Sequence, residues 1–231
     1  MFIVVFAPAS SAWTLVSEDV HNRIPDLRVF RIGGTIWNGE GEIQFRQFPP
    51  STLNWRLSPA ELIKRTANLH LTATGQGHSL QAGATIGPSY GAIQSLQGVI
   101  SSNYINEVSE QFGFTFSGEI EIQEINLSVD NQWITSANGT AKWSGGRILL
   151  NTPMAPQTIE LPPLDGELYL RNQQLVLDIT YQQLVVMQIV LKKGGWAEVA
   201  IKGRMFDIAN LTSPGDSGPD ETILLLEEKI L

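Results

Sequence analysis

The sequence predicts a mainly β protein, built as a strongly curved antiparallel sheet or open half-barrel with two or three short helices. Three observations carry this. Apolar and polar residues alternate in short runs from residue 27 almost to the end, the two-residue period of a half-buried strand. Glycine, asparagine and proline separate the runs at hairpin spacing. Charged residues are only 16% of the chain, where about 25% is usual, and Gln, Asn, Ser and Thr fill the polar positions. A chain of 231 residues can bury roughly 70% of its unfolded surface, so neither metal nor disulfide is needed to hold it.

Residues 27–57 organise the rest. Leu27, Val29, Phe30 and Ile32 form a strand that Gly33-Gly34 interrupts. Thr35, Ile36 and Trp37 resume an extended segment, and Asn38-Gly39 is the expected hairpin turn, because both residues tolerate positive φ. Ile43 and Phe45 alternate with Glu42, Gln44 and Arg46 on the return strand; Leu53, Trp55 and Leu57 alternate on the next. The expectation is a three-stranded meander with aromatic residues on one face.

Before it, Ser17 caps a short helix stopped by Pro25. After it, Ser58, Pro59 and Glu61 make a capping box for a helix over 59–66. Residues 69–74 and 79–86 form a hairpin, 92–100 a further strand, and 104–112 a short helix ended by Gly113. From Phe114 the β pattern is continuous. The apolar parity flips between Ile122 and Ile125, which points to a bulge at Gln123-Glu124. Strands over 132–136 and 139–143 flank an Asn138-Gly139 turn, and 147–151 is short and apolar. A proline-spaced crossover over 153–163 contains an extended Thr158-Ile159-Glu160-Leu161. Two hairpins follow, 167–170 with 175–180 and 184–191 with 196–202; strands are expected over 205–210 and 222–226, around a loop at 213–220. The expected core holds Val29, Ile32, Ile36, Trp37, Ile43, Phe45, Trp55, Ile122, Ile125, Leu127, Trp143, Leu168, Leu175, Leu177, Val186 and Val199. The echo of Gly34-Thr35-Ile36-Trp37 in Gly139-Thr140-Ala141-Lys142-Trp143 allows two half-repeats, about 17–100 and 101–231, within one β domain over 17–231.

The net charge is −8 and the one adjacent pair of cations is Lys192-Lys193, so nucleic acid is excluded as a partner. No cysteine is present, which removes disulfides, thiolate metal sites and cysteine nucleophiles. Residues 1–16 carry no charge. They read as a truncated membrane anchor, a signal-like segment or a buried N-terminal strand.

Candidate chemistry is sparse. His70 and His78 flank one turn, but no third metal ligand is evident, and His21 has no partner in sequence. Glu119, Glu121 and Glu124 offer carboxylates for sugar hydrolysis, yet Glu119 and Glu121 share the strand face opposite Ile120 and Ile122, which reads as a solvated face. The six tryptophans fall in or beside strands, where packing is the commoner role than a carbohydrate platform. No nucleophile elbow, phosphate loop or dinucleotide fingerprint occurs. No catalytic, cofactor-binding or metal-binding residue is assigned, and no enzyme activity or cofactor is expected.

Two motifs carry a resemblance. Gly34, Thr35, Trp37 and Gly39 form a Gly-Thr-apolar-Trp-x-Gly turn, and Trp55, Leu57, Pro59 and Leu62 form a Trp-x-Leu-x-Pro-x-x-Leu element. Asn138, Gly139, Thr140, Trp143, Gly145 and Gly146 are similar to a later repeat of the first. Together they resemble the type II secretion system protein N family. The resemblance implies a non-enzymatic accessory subunit of bacterial protein secretion. It would be held in the inner membrane by a single helix, with its bulk in the periplasm, and its partners would be other inner-membrane and periplasmic secretion subunits. A second expectation comes from the residues: 184–191 is apolar on both parities, and a long curved sheet presents an apolar trough to lipid or another hydrophobic ligand. A hydrolase would need a polar pocket joining His70 or His78 to a carboxylate.

Overall fold

The computed structural model describes residues 8–23, 26–59, 65–151, 156–212 and 218–229. Helix α1 (Ala9–Arg23) leads into β1 (Leu27–Gly34), β2 (Asn38–Phe45), β3 (Ser51–Ser58), β4 (Ala67–Gly75), β5 (His78–Ile86) and β6 (Tyr90–Ser101). Helix α2 (Ser102–Ser109), a turn of 3-10 helix (Glu110–Phe112) and the short β7 (Phe114–Phe116) come next. Then follow β8 (Glu119–Asp130), β9 (Ile134–Trp143), β10 (Gly146–Asn151), β11 (Pro156–Leu161), β12 (Leu164–Arg171), β13 (Gln174–Tyr181), β14 (Leu184–Leu191) and β15 (Trp196–Lys202). Helix α3 (Gly203–Ile208) precedes the last strand, β16 (Thr222–Lys229).

Thirteen strands form one antiparallel sheet in chain order, β1-β2-β3-β4-β5-β6-β8-β9-β12-β13-β14-β15-β16. It does not close: β1 and β16 are its two edges. The remaining strands form a three-stranded sheet, β11-β10-β7. The expected mainly β fold, unclosed and with three short helices, is therefore what forms.

Every strand of the large sheet runs between the same two rims. At one rim three connections are long and structured, and β2–β3, β4–β5 and β13–β14 are short. There α2 and β7 lie between β6 and β8, β10 and β11 between β9 and β12, and α3 between β15 and β16. At the other rim β1–β2, β5–β6, β8–β9, β12–β13 and β14–β15 are joined by tight turns. We call these the plugged rim and the open rim.

Cross-strand register sorts the side chains. Trp55 pairs with Leu71 and Leu71 with Ala82; Leu127 pairs with Ala137, Leu168 with Leu177, and Ile189 with Val199. Directly paired residues share a face, so one face is apolar from β1 to β16. The opposite face carries polar pairs such as Arg56 with His70, Thr72 with Gln81 and Glu121 with Lys142, and across β13 and β14 the buried apolar pair Val176 with Val190. The expected bulge in β8 is present: the register shifts between Ile122 and Glu124, keeping Ile120, Ile122, Ile125, Leu127 and Val129 on the apolar face.

Several expectations need correction. The first hairpin turns at Thr35, Ile36 and Trp37, and Asn38-Gly39 already belongs to β2, with Gly34 pairing Gly39. Gly34 supplies the positive φ, 80°, and the Thr35 side chain accepts the Asn38 N–H at 3.2 Å. Asn138-Gly139 is no turn either, since β9 runs through it. Gly139 is needed for close approach: a Cβ there would stand 2.5 Å from the Glu124 carbonyl oxygen. The run from Phe114 breaks after Phe116, and β7 leaves for the small sheet. Helix α1 begins at Ala9, so Ser17 lies inside it and residues 9–16 are not a strand. Residues expected as a strand over 205–210 instead form α3 after Gly203. The helix expected over 59–66 falls mostly outside the described residues, as does much of the loop at 213–220.

The expected core is not buried as a core. Of its sixteen members Val186 alone is buried; Phe45 is exposed and the rest are half-buried. The buried apolar residues described are Ala9, Ala84, Ala137, Leu161, Leu164, Val176, Val186 and Val190. A deep interior needs two layers packed face to face. This sheet keeps its apolar face half-covered along most of its width.

Candidate functional site

The polar candidates do not converge. His70 lies on the polar face between Arg56 and Gly83, while His78 lies on the apolar face opposite Gly75 and Ile100. The sheet itself separates them. His78 is buried beneath Tyr104 of α2, with ring centroids 4.3 Å apart. Among the described residues, no group of three His, Cys, Asp or Glu side chains is placed to hold a metal ion. Glu119 and Glu121 line a shallow cleft at the plugged rim with Lys142 and Asp165, whose charged atoms are 3.9 Å apart. Glu124 lies further along β8, where its carboxylate accepts from Asn126 at 3.2 Å. These groups are exposed, as a solvated strand face requires.

Two tryptophans are structural. The Trp55 indole N–H donates to the Ile36 carbonyl at 3.2 Å, and its ring lies where a Cβ on Gly39 would be, 2.5 Å away. The Trp143 indole N–H donates to the Ser117 carbonyl at 2.9 Å, and its ring meets Phe116 edge-on at 6.2 Å. Each satisfies its one donor on backbone while its ring covers apolar neighbours.

What remains is the apolar face and its two unlike rims. At the plugged rim Tyr104 covers His78 and stacks on Phe48 at 5.3 Å. Asn106 of α2 clamps β7, accepting from the Phe116 N–H at 3.0 Å and donating to its carbonyl at 2.8 Å. At the open rim the turns carry Trp37, Tyr90, Trp133 and Trp196. Asp130 orders one of these turns, accepting from the Gln132 and Trp133 N–H groups at 2.7 and 2.8 Å, and these bonds hold its pKa below the usual carboxylate value. Lys192 lies between Glu198 and Glu227, at 2.7 and 2.9 Å, and both hydrogen bonds raise its pKa.

The profile of the type II secretion system protein N family matches residues 25–226, from the approach to β1 into β16. The chain belongs to that family. No match was found among curated proteins or among solved structures. Membership makes this chain a component of type II secretion, and the matched region takes in the whole large sheet up to Leu226 of its last strand. The two front motifs meet in space: Gly39 of the first gives room to Trp55 of the second. In the later motif, Gly139 gives the same room to β8 rather than to a ring. The aromatic open rim was not marked by sequence reasoning, which assigned each tryptophan to its own strand. Its signal was available in an aromatic residue beside four of the turns on one side of the meander.

Proposed function

We propose that this chain is a non-enzymatic accessory subunit of the type II secretion system, anchored in the inner membrane by its N-terminal segment with the β domain in the periplasm. The family match over residues 25–226 carries the reading. The uncharged residues 1–16 support the anchor; among the described residues no helix is long and apolar enough to cross a membrane. The separation of His70 from His78 onto opposite faces supports a scaffold rather than a hydrolase. Its partners would be other inner-membrane and periplasmic secretion subunits. Cross-linking in a secreting cell envelope, followed by affinity capture of this chain, tests the role. Recovery of secretion subunits is expected, and their absence would remove the reading. A second reading, a module that handles lipid or another hydrophobic ligand, is favoured by one observation: among the described residues the apolar face lacks a full covering layer.

A further inference from the structure

The apolar face is wide and chemically uniform. Thirteen strands at about 4.8 Å spacing make a sheet about 60 Å across. On the interior strands the polar side chains of this face, Ser51, His78 and Tyr181, all lie at the plugged rim. The middle of the face is aliphatic, and its side chains stay half-exposed even on central strands, as at Leu71, Leu80 and Leu168. Large apolar side chains are exposed at both ends of the face: Ile93 37% and Ile86 55% at the open rim, Phe45 37% and Leu184 47% at the plugged rim.

This chemistry selects its occupant. The interior strands spend their backbone groups on the sheet ladder, so an extended peptide laid across the face would find no partners for its own N–H and C=O groups. A hydrocarbon chain has no such groups and loses nothing by lying there. The two rims then differ in how they meet a lipid surface. The plugged rim carries α2, the small sheet and α3; its acids Glu107, Glu110, Glu119, Asp165, Asp207 and Asp220 stand among the cations Arg46, Lys142, Arg147, Lys202 and Arg204. In or beside the described open-rim turns lie Arg65, Arg171, Lys192 and Lys193, against Asp130, and the end of β16 adds Glu227, Glu228 and Lys229. Lys192 is already matched by Glu198 and Glu227. Tryptophan and tyrosine are the side chains that settle at a membrane–water interface, and basic groups there favour anionic headgroups.

We propose that the open rim docks on the surface of an anionic phospholipid bilayer, and that phospholipid acyl chains enter the apolar face from this rim. The proposal rests on the second reading above and adds the ligand class and the direction of entry. Ile86 and Ile93 then lie near the mouth, with Trp196 and Lys193 at the headgroups.

The test uses the full purified chain. Its first arm measures binding of cis-parinaric acid by fluorescence, without vesicles. Its second measures co-flotation with phosphatidylcholine vesicles, with and without phosphatidylglycerol. Circular dichroism melting confirms that each variant is folded, and both substituted regions are solvent-exposed enough to accept the change. Saturable probe binding is expected, weakened about tenfold by Ile93→Glu or Ile86→Glu, because each sets a carboxylate where the chain must lie. The Trp196→Ala/Lys193→Glu double variant keeps probe binding and loses phosphatidylglycerol-dependent flotation. A wild-type chain that takes up no probe overturns both the second reading and this proposal. So does a chain that excludes the probe and sediments as a dimer, with a second copy covering the face. Probe binding with flotation that ignores phosphatidylglycerol, or that survives the double variant, leaves the reading standing and overturns the docking rim.

Discussion

His78 shows how one residue couples the apolar face to pH. Its ring is buried under Tyr104, its Nδ1 has no hydrogen-bond partner among the described residues, and burial pushes its pKa below 6.5. As the pH falls through 6.5, the unfolded chain takes up a proton that the folded chain still refuses. The unfolded state then binds more protons, so stability drops with falling pH until the folded-state pKa is passed. Above 6.5 the ring is neutral in both states and contributes no pH dependence. Thermal melting followed between about pH 7.5 and about pH 5 should show this loss, and His78→Phe should flatten part of it while keeping the ring contact. An unchanged slope in the variant would assign the pH dependence elsewhere. The same corner holds the Ser101 hydroxyl, also buried and without a partner among the described residues, so adjoining ends of β5 and β6 carry two buried polar groups beside α2 and the β4–β5 turn.

At the scale of elements, bulges keep the apolar face continuous. A strand of strict two-residue period would turn Ile125, Leu127 and Val129 to solvent; the shift between Ile122 and Glu124 returns them. Similar shifts occur in β6, between its partners for Ile93 and Leu96, and where β14 meets β13. The plugged rim depends on a narrower device. Asn106 makes both backbone bonds that tie α2 to β7, and the pair is half-buried. Asn106→Ala should therefore cost about 1–3 kcal/mol, since the Phe116 N–H and C=O lose their partners. Hydrogen exchange should accelerate first in β7 and β10, with the central strands of the large sheet unaffected; uniform acceleration across the sheet would contradict the assignment.

The whole molecule is a sheet with two unequal edges. β1 is flanked by α1, bridged at its end by Pro8 with Thr35, and bulged at Phe30. Helix, bridge and bulge are all ways of blunting an edge. β16 has no neighbour beyond it among the described residues, and Leu224, Leu225 and Leu226 are 40%, 59% and 54% exposed. Such an edge is a template for pairing with another strand. Leu225→Lys, on the polar face of that edge, should leave the melting temperature nearly unchanged and reduce self-association of the isolated domain, read by light scattering against concentration. Loss of the melt with no change in scattering would show that Leu225 serves folding instead.

Much of the architecture was legible along the chain, for a local reason. Side-chain alternation and turn residues act within a few positions, so the hairpins 69–74 with 79–86 and 184–191 with 196–202, and the β8 bulge, could be read directly. The motif at Gly34, Thr35, Trp37 and Gly39 was also local. Errors arose where one residue type serves two purposes. Asn138-Gly139 has turn chemistry but sits mid-strand, because Gly139 is required by the approach of β8; Met205 and Phe206 have strand composition but follow Gly203 into a helix. Three matters were settled only in three dimensions. His70 and His78 are eight positions apart yet lie on opposite faces, because each face of a sheet is assigned by pairing across strands. The expected core became a half-open surface, because burial depends on whether a second layer covers the sheet, and a strand pattern carries no record of that layer. The aromatic rim exists only once the meander sets successive turns side by side, since residues as distant as Trp37 and Trp196 are brought to one boundary by the order of the strands.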